Sequence, residues 1–351
     1  MNKRLFVDVH VLQNLPPSNI NRDDTGSPKT AQYGGVSRAR VSSQAWKRAM
    51  RQYFKDSGKL RNESKRTLEI VQYVADEIQK LDTSVERKAA MAMAEKAFNN
   101  AKVKTKEQKA KALFFISAVQ AQKLAQAALQ GKTDTEELQK LLKDEPAVDI
   151  ALFGRMVADD PSLNEDASSQ VAHAISTHAV QTEYDFYTAI DDLAPKDNAG
   201  ASMLDTKEFN SSTLYRYANV AVHEFLQQLG DADLTLHALE LFIEAFALSL
   251  PTGNVNSYAN QTLPSAMLLI LRTDRPVNLI TAFEEPIKSK AGYIAQSIKC
   301  LGKELEKTSK FVGQPLAVLS LGMPGVGQEV QDFHQLMQEF ADQITPLLQQ
   351  S

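Results

Sequence analysis

The sequence predicts an α+β fold, and three observations carry that prediction. Apolar residues alternate from Leu5 to Val11, a stretch from about Asn62 to Met156 is written in Ala, Gln, Lys, Glu and Leu with helical periodicity, and alternating stretches return after residue 183. The order reads strand, helix, large helical insertion, hairpin, helix, strands, helix. That is a split β-α-β sheet interrupted by insertions rather than an alternating doubly wound fold. At roughly 150 residues per domain, 351 residues fit about two domains, or one with large insertions.

The first strand sets Leu5, Val7, Val9 and Val11 on one face and Phe6, Asp8 and His10 on the other, and is expected to be central. Residues 13–37 are rich in Pro, Asn, Asp, Ser and Gly and read as a long irregular loop. Ser42 or Ser43 can then cap a helix that gathers Trp46, Met50, Tyr53 and Phe54 on one side. Within the helical stretch, residues 102–111 hold five lysines against one glutamate, and Glu136 to Glu145 reads as an amphipathic helix with Lys140 and Lys143 outward. Gln170 to Val180 reads as a further helix, with Ala and Ile on a buried face around His173 and His178.

Tyr184, Phe186, Thr188 and Ile190 next alternate with Asp185, Tyr187 and Ala189. A turn-rich segment follows, and Thr213 to Val222 alternates again, so a protruding hairpin is expected. Leu234 to Leu250 reads as an amphipathic helix, followed by the polar loop PTGNVNSYANQT. Strands at Ala266 to Arg272 and Leu316 to Leu321 and a helix at Glu329 to Leu348 complete the chain.

A composition of 43% hydrophobic and 23% charged residues is that of an ordinary globular protein and argues against a disordered, collagenous or coiled-coil chain. The single cysteine, Cys300, excludes an internal disulfide framework and any zinc site needing two thiolates, and fits a reducing compartment. The best apolar runs, Leu239 to Leu250 and Leu263 to Leu271, are too short or are broken by Glu240, Glu244 or Pro264. After Lys3 and Arg4 the residues alternate instead of forming an apolar signal core, so a cytoplasmic location is expected. A net charge of −4 argues against nucleic acid if taken alone. The charge is segregated, however: residues 1–66 hold 14 Lys and Arg against 5 Asp and Glu, a balance of +9, leaving −13 on the rest.

The basic segment concentrates in residues 34–54, with Lys55 just beyond. Lys47, Arg51 and Lys55 lie at i, i+4 and i+8 on one helical stripe, Arg48 flanks them, and Arg38 and Arg40 precede the helix. Hydroxyls and free N–H groups around Ser42, Ser43 and Gln44 favour an anion at the helix start. Two readings fit these residues, a solvated basic face or a surface for a phosphate backbone. Asp23 and Asp24 could be a metal-binding or general-base pair, or simply turn formers. His173 and His178 stand five apart, off the i, i+4 face of helical zinc sites, and read as structural. GMPGVG (residues 322–327) lacks the lysine and Ser/Thr of a phosphate loop, and Cys300 reads as a small buried residue. The residues make no positive case for an enzyme, a metal or a cofactor.

Several blocks together resemble one family. NRDD at Asn21 to Asp24, the pair Gly34 and Gly35, and RARVSSQAWKRAMR from Arg38 to Arg51 resemble the N-terminal signature of the CasC family, the repeated backbone subunit of the type I-E Cascade complex of CRISPR immunity. DIALFGRM (Asp149 to Met156), AHAISTH (Ala172 to His178), DFYTAIDDL (Asp185 to Leu193) and YRYANV (Tyr215 to Val220) resemble further family blocks in the same order.

The resemblance implies an RRM-like (ferredoxin-like) palm from residues 1–58 and 223–351, a helical finger domain inserted at 59–181, and a thumb hairpin with flanking strands at 182–222. It implies a non-nuclease that stacks head to tail in a helical filament along CRISPR RNA (crRNA). The expected partners are crRNA, target DNA, copies of itself, and the large, small, crRNA-processing and end-capping Cascade subunits. Arg22, Ser42, Gln44, Lys47, Arg48 and Arg51 fall at the family's guide-backbone contacts, and Arg38 and Arg40 join them. Met156 falls at the base-displacing wedge, and Phe186, Tyr187, Thr188, Ile190 and Leu204 at the thumb. Lys140 and Lys143 resemble positions that receive the incoming duplex.

The loop PTGNVNSYANQT departs from the family: it keeps Gly253 but has Asn254 and Asn256 where a basic residue is expected. The likeness is also poor in the finger insertion and beyond about residue 275. Two competing readings are a metal-dependent RNA-cleaving subunit of a type III-like complex using Asp23 or Asp24, and a structural oligomer with an incidental basic helix.

Overall fold

The alternation at the N-terminus becomes β1 (Phe6–Ser18), which is buried on both faces over most of its length in the computed structural model. Residues 4–60, 62–157, 160–189 and 203–349 are described. The polar segment after Val11 is not one irregular loop: β1 runs on to Ser18, and β2 (Thr30–Tyr33) pairs with β3 (Val36–Val41) as a hairpin. Its turn is Gly34–Gly35, with φ of +60° and +77°, the left-handed geometry that matches strand twist in a two-residue hairpin. Next, α1 (Ser43–Ser57) starts at Ser42, whose hydroxyl accepts the Ala45 N–H, and ends at a left-handed Gly58.

The insertion contains β4 (Ser64–Thr67), α2 (Ile70–Leu81), α3 (Arg87–Asn100), β5 (Thr105–Lys106), β6 (Lys109–Ala110), β7 (Phe114–Ser117), α4 (Ala118–Leu129) and α5 (Thr135–Lys143). Its helices close around Phe98, Ile116, Leu124 and Leu138, a core distinct from that of the main sheet. The short ladders β4–β7 and β5–β6 are not apparent in the helical composition. The lysine-rich segment turns back at Glu107 and Gln108, both in the left-handed region.

The main body resumes earlier than residue 181. α6 (Val148–Phe153) packs into the sheet core, and β8 (Ser169–Val171) and β9 (Ala174–Ser176) join the sheet. The helix expected at Gln170 to Val180 is therefore absent. Neighbouring strands offer ladder partners there, and this pairing overrides the helical propensity of its alanines, which tertiary context routinely outweighs. His178 Nε2 accepts the Thr213 N–H at 3.1 Å and its ring stacks on Tyr293 at 3.6 Å, so this histidine is structural.

β10 (Glu183–Ala189) pairs antiparallel with the outer half of β11 (Met203–Ala221). The inner half of this 19-residue strand lies beside β1. The chain continues through α7 (Val222–Leu229), α8 (Ala232–Leu248), α9 (Val255–Tyr258), β12 (Ala266–Arg272), α10 (Ile294–Thr308), β13 (Ala317–Leu321), β14 (Gln328–Val330) and α11 (Phe333–Gln349). GMPGVG links β13 to β14, and α11 starts later than Glu329 because β14 occupies those residues.

The sheet order is β14-β13-β12-β1-β11-β9-β3-β2, with β8 and β10 also on β11. Both neighbours of β1 run antiparallel to it, so β11 and β12 are parallel to each other and joined across α7 and α8. That is a split β-α-β unit with β1 in its middle. One face carries Val7, Val9 and Val11 against Trp46, Phe242, Phe246 and Phe340 from α1, α8 and α11. The opposite face, with Leu12, Tyr215, Tyr217 and Leu268, is covered by Phe283 and by Leu301 of α10. Tyr215 and Tyr217 are 2% and 6% exposed, so neither ring is available to stack on a base. Among the described residues no helix is long and apolar enough to cross a membrane.

Candidate nucleic-acid interface

Helix α1 is held by its apolar side, which buries Trp46, Met50 and Phe54; burying each large apolar chain is worth about 2–3 kcal/mol. Arg216 of β11 lies 3.7 Å over the Trp46 ring and donates to Gln13 Oε1 at 2.5 Å, while burial pulls its pKa down to about 9. This fixed inner side turns Gln44, Arg48 and Lys55 outward to solvent. Lys47 is half-buried, its ammonium 5.5 Å over Phe153, and desolvation lowers its pKa. Arg51 donates to Asp149 at 2.9 Å and lies 4.4 Å over Phe115.

A cleft of about 420 Å³ opens between α1 and β4. Its cations are Arg48, Arg51, Lys55, Lys65 and Arg66, against Asp149 and Glu63. Lys65 and Arg66 escape a reading based on helical stripes, since they sit on a short strand; their signal is a pair of adjacent cations in the polar tetrapeptide SKRT. The stripe and the strand together form a concave cationic surface suited to phosphate oxygens rather than to base edges.

Other proposed backbone contacts divide. Arg38 is fully buried, and its guanidinium is spent on the carbonyls of Tyr33, Ser176, Phe283 and Glu284. Its side chain therefore does not belong to the surface, a correction to the sequence reading: four acceptors inside the fold outbid solvent. Arg40 is partly exposed, donating to the Thr30 carbonyl at 3.0 Å and lying 3.2 Å from His173. Ser42 is buried and its hydroxyl acts as the helix cap. Arg22 is exposed on the neighbouring loop, and Asn21 ties that loop to the helix by accepting the Ser42 N–H at 2.8 Å.

The segment after α6 shows how sequence sets a projecting side chain. Gly154 turns at φ +77° where a Cβ would crowd Ala167, and Arg155 is buried, donating to the carbonyls of Leu163, Phe115 and Leu142. Burial lowers the pKa of Arg155 to about 10. With Arg155 buried on one side and Val157 on the other, its N–H donating to Asn164 Oδ1 at 2.7 Å, Met156 is left 82% exposed. Phe153, three residues earlier in the chain, is the ring beneath Lys47 of α1.

On the hairpin, Tyr184, Phe186 and Thr188 share one exposed face, and Phe186 is 65% exposed rather than part of a buried strand face. Tyr187 points to the other face, where the Lys207 ammonium lies 4.9 Å over its ring. Leu204 pairs opposite Thr188 in the ladder, and Ile190 lies outside the described residues. Lys140 and Lys143 are exposed in the last turn of α5, where they also complement the helix dipole.

Asp23 is a turn former: its Oδ1 accepts from the Thr25 hydroxyl at 2.7 Å and from the N–H groups of Thr25 and Ser27, and these bonds lower its pKa. Among the described residues no three His, Cys, Asp or Glu side chains cluster in a way that could hold a metal ion.

No curated protein matches the sequence. Solved chains that match nearly end to end include two from CRISPR surveillance complexes. One, from a CRISPR RNA-guided surveillance complex described as pre-nicking, has a TM-score of 0.84 at 29% identity, covering 96% of this chain and 99% of that one. Another, from a CRISPR RNA-guided surveillance complex, has a TM-score of 0.65 at 27% identity, covering 96% and 98%. The model of the CT1975-like protein family matches residues 7–343, nearly the whole sheet together with its insertion, and the chain belongs to that family of Cas proteins.

Proposed function

We propose that the chain is a non-catalytic backbone subunit of a type I-E CRISPR surveillance complex, of the CasC kind, that binds the phosphates of crRNA and presents guide bases to target DNA. The observation that carries this reading is the cleft between α1 and β4, which gathers Arg48, Arg51, Lys55, Lys65 and Arg66, together with an exposed Met156 on the segment after α6. Phosphate contacts of this kind hold a strand in register without reading its sequence, so specificity falls to base pairing between guide and target. The likeness to chains of surveillance complexes supports the same assignment.

In this reading the sheet is an RRM-like palm used differently from a base-stacking RRM, because its second face is filled by α10. RNA lies instead along α1, Met156 and the hairpin aromatics occupy the space of a displaced base, and Lys140 and Lys143 meet the target duplex. Unstacking costs about a few kcal/mol per step, which apolar and aromatic side chains can offset. Copies stack along the guide in the cytoplasm with the other Cascade subunits. Oδ1 of Asp23 is committed to its turn, which weighs against the RNA-cleaving alternative at that residue.

The test is binding of a guide-length single-stranded RNA across a salt series, wild type beside Lys47→Gln/Arg48→Gln. These two positions are preferred to Arg51, whose reversal would set a second carboxylate beside Asp149. The expected result is a steep slope, about 0.7 in log affinity per log salt for each phosphate neutralised, that falls by more than one unit in the folded double variant. Equal, flat binding by both proteins would sink the proposal.

A further inference from the structure

Two surface features lie on elements that cover opposite faces of the sheet. On the side of α8 and α11 an open groove of about 1360 Å³ runs from the first turns of those helices to the base of the insertion at Pro146. Leu229, Leu234, Leu241 and Met337 give it an apolar floor, with Leu234 44% exposed. Carboxylates rim it: Glu145, Asp231, Asp233, Glu240 and Glu244. Lys59 sits on Glu244 at 2.5 Å and Lys123 on Glu145 at 2.7 Å, while Asp233 and Glu240 take no cation among the described residues. Such a surface repels phosphate and suits a cationic segment with an apolar knob.

The chain carries such a segment where α10 ends. Phe311 is 83% exposed and Lys310 is exposed next to it, while Lys303 is exposed two turns back on α10; with Glu304 and Glu306 between them the segment 303–311 keeps three lysines against two glutamates. The turn that presents Phe311 is braced: its N–H donates to the Thr308 carbonyl at 2.9 Å, and Gly313 donates to Asp274 at 3.1 Å and accepts from Arg272 at 3.2 Å. A knob held in this way loses little freedom on docking. Where α1 sets four cations against one acid, α10 sets three against two, with Lys307 paired to Glu304 at 3.3 Å, so it fits a protein partner better than a phosphate backbone.

We propose that a second copy of this chain seats Phe311, with Lys303 and Lys310 beside it, in the acidic groove. Knob and groove lie on opposite sides of the sheet, so the contact is heterologous and propagates head to tail. This names the contact for the self-stacking included in the proposed function and rests on that part of it alone.

The test is sedimentation of the full chain, with and without guide-length RNA, comparing wild type with Phe311→Glu and Leu234→Lys. Wild type is expected to associate, and each variant alone to associate at least tenfold more weakly. An equimolar mixture should form dimers and stop there, because one knob and one groove survive intact. Lys310→Glu and Glu240→Lys, each weaker alone and restored when mixed, provide a second pair should either bulky change unfold the protein. RNA affinity of the separated monomers should be unchanged, which distinguishes failure of this contact from failure of RNA binding through α1. Association of both variants like wild type, a mixture that stays monomeric, a wild type that never associates, or a Phe311→Glu protein that loses RNA affinity but not association would each overturn the proposal.

Discussion

The guanidinium of Arg51 and the carboxylate of Asp149 meet at 2.9 Å, and the Ser64 hydroxyl donates to the same oxygen at 2.5 Å. Three elements are joined at that atom: α1, α6 and β4. The pair also withholds one positive charge from the cleft, since Arg51 is only partly exposed and already compensated. Asp149→Asn should therefore act in two directions. Losing a charge-assisted bond should cost roughly 1–3 kcal/mol in urea unfolding. The freed guanidinium should steepen the salt dependence of RNA binding by about 0.7 per phosphate reached. A destabilised variant with an unchanged salt slope would mean that Arg51 serves only as a brace.

The Gly34–Gly35 turn offers a matched pair of substitutions. Both residues have positive φ, so alanine is strained at either, but a Cβ at Gly35 meets open space whereas one at Gly34 would overlap the Glu284 carbonyl. Gly35→Ala should cost about 1 kcal/mol, the left-handed penalty alone. Gly34→Ala should cost at least about 2 kcal/mol more, because it pushes apart the hairpin and the segment that Arg38 ties together through Phe283 and Glu284. Equal losses in thermal unfolding would show that the contact yields freely.

How much of this was legible in the sequence depends on the range of the forces involved. The capped helix at Ser42, the strand at Ala266 to Arg272 and the outward Lys140 and Lys143 follow from local periodicity and capping, and they stand as read. Gln170 to Val180 was misread because its strand character comes from partners some forty residues away on β11 and more than a hundred away on β3. Arg38 was misplaced for a similar reason: a basic tripeptide does not reveal that carbonyls of Ser176 and Phe283 converge on one of its arginines. Lys65 and Arg66 went unnoticed because the cleft they line exists only once the insertion folds back on α1. The exposed Met156 depends on the burial of Arg155 beside it, and the motif alone does not show which of the two projects.

That division between Arg155 and Met156 predicts a separation of stability from function. Met156→Ala and Phe186→Ala remove exposed side chains and should shift unfolding by no more than about 0.5 kcal/mol. Arg155→Ala leaves the carbonyls of Leu163, Phe115 and Leu142 without their donor and should cost roughly 3 kcal/mol or more. With 2-aminopurine placed along a guide-length RNA, wild type should brighten at regularly spaced unstacked positions, and the Met156→Ala/Phe186→Ala protein should lose that brightening while still binding. Retained brightening would remove both side chains from base displacement.

A buried polar pair at the centre of the sheet sets the last expectation. Asp8 accepts from the Tyr217 hydroxyl at 2.7 Å and the Val277 N–H at 3.1 Å, with Arg272 Nε 3.6 Å away, too far for a hydrogen bond. Desolvation outweighs these partners and raises its pKa to about 7. Beside it His10 bonds Tyr215 at 2.8 Å, leaves Nε2 without a partner, and is pushed down to about 3 by burial. The fold thus favours neutral Asp8, a contribution complete below its unfolded pKa near 3.8 and lost as pH rises towards 7. It also favours neutral His10, a contribution present above 6.5 and lost as pH falls towards 3. Between about pH 4 and 6.5 the two slopes oppose and largely cancel. Asp8→Asn removes one of them while keeping an acceptor for Tyr217. The stability of the variant relative to wild type, from urea unfolding, should therefore rise with pH across that interval, by at most about 1.4 kcal/mol per pH unit. A difference that stays constant with pH would mean that Arg272 keeps Asp8 ionised and that pairing, not burial, controls the centre of the sheet.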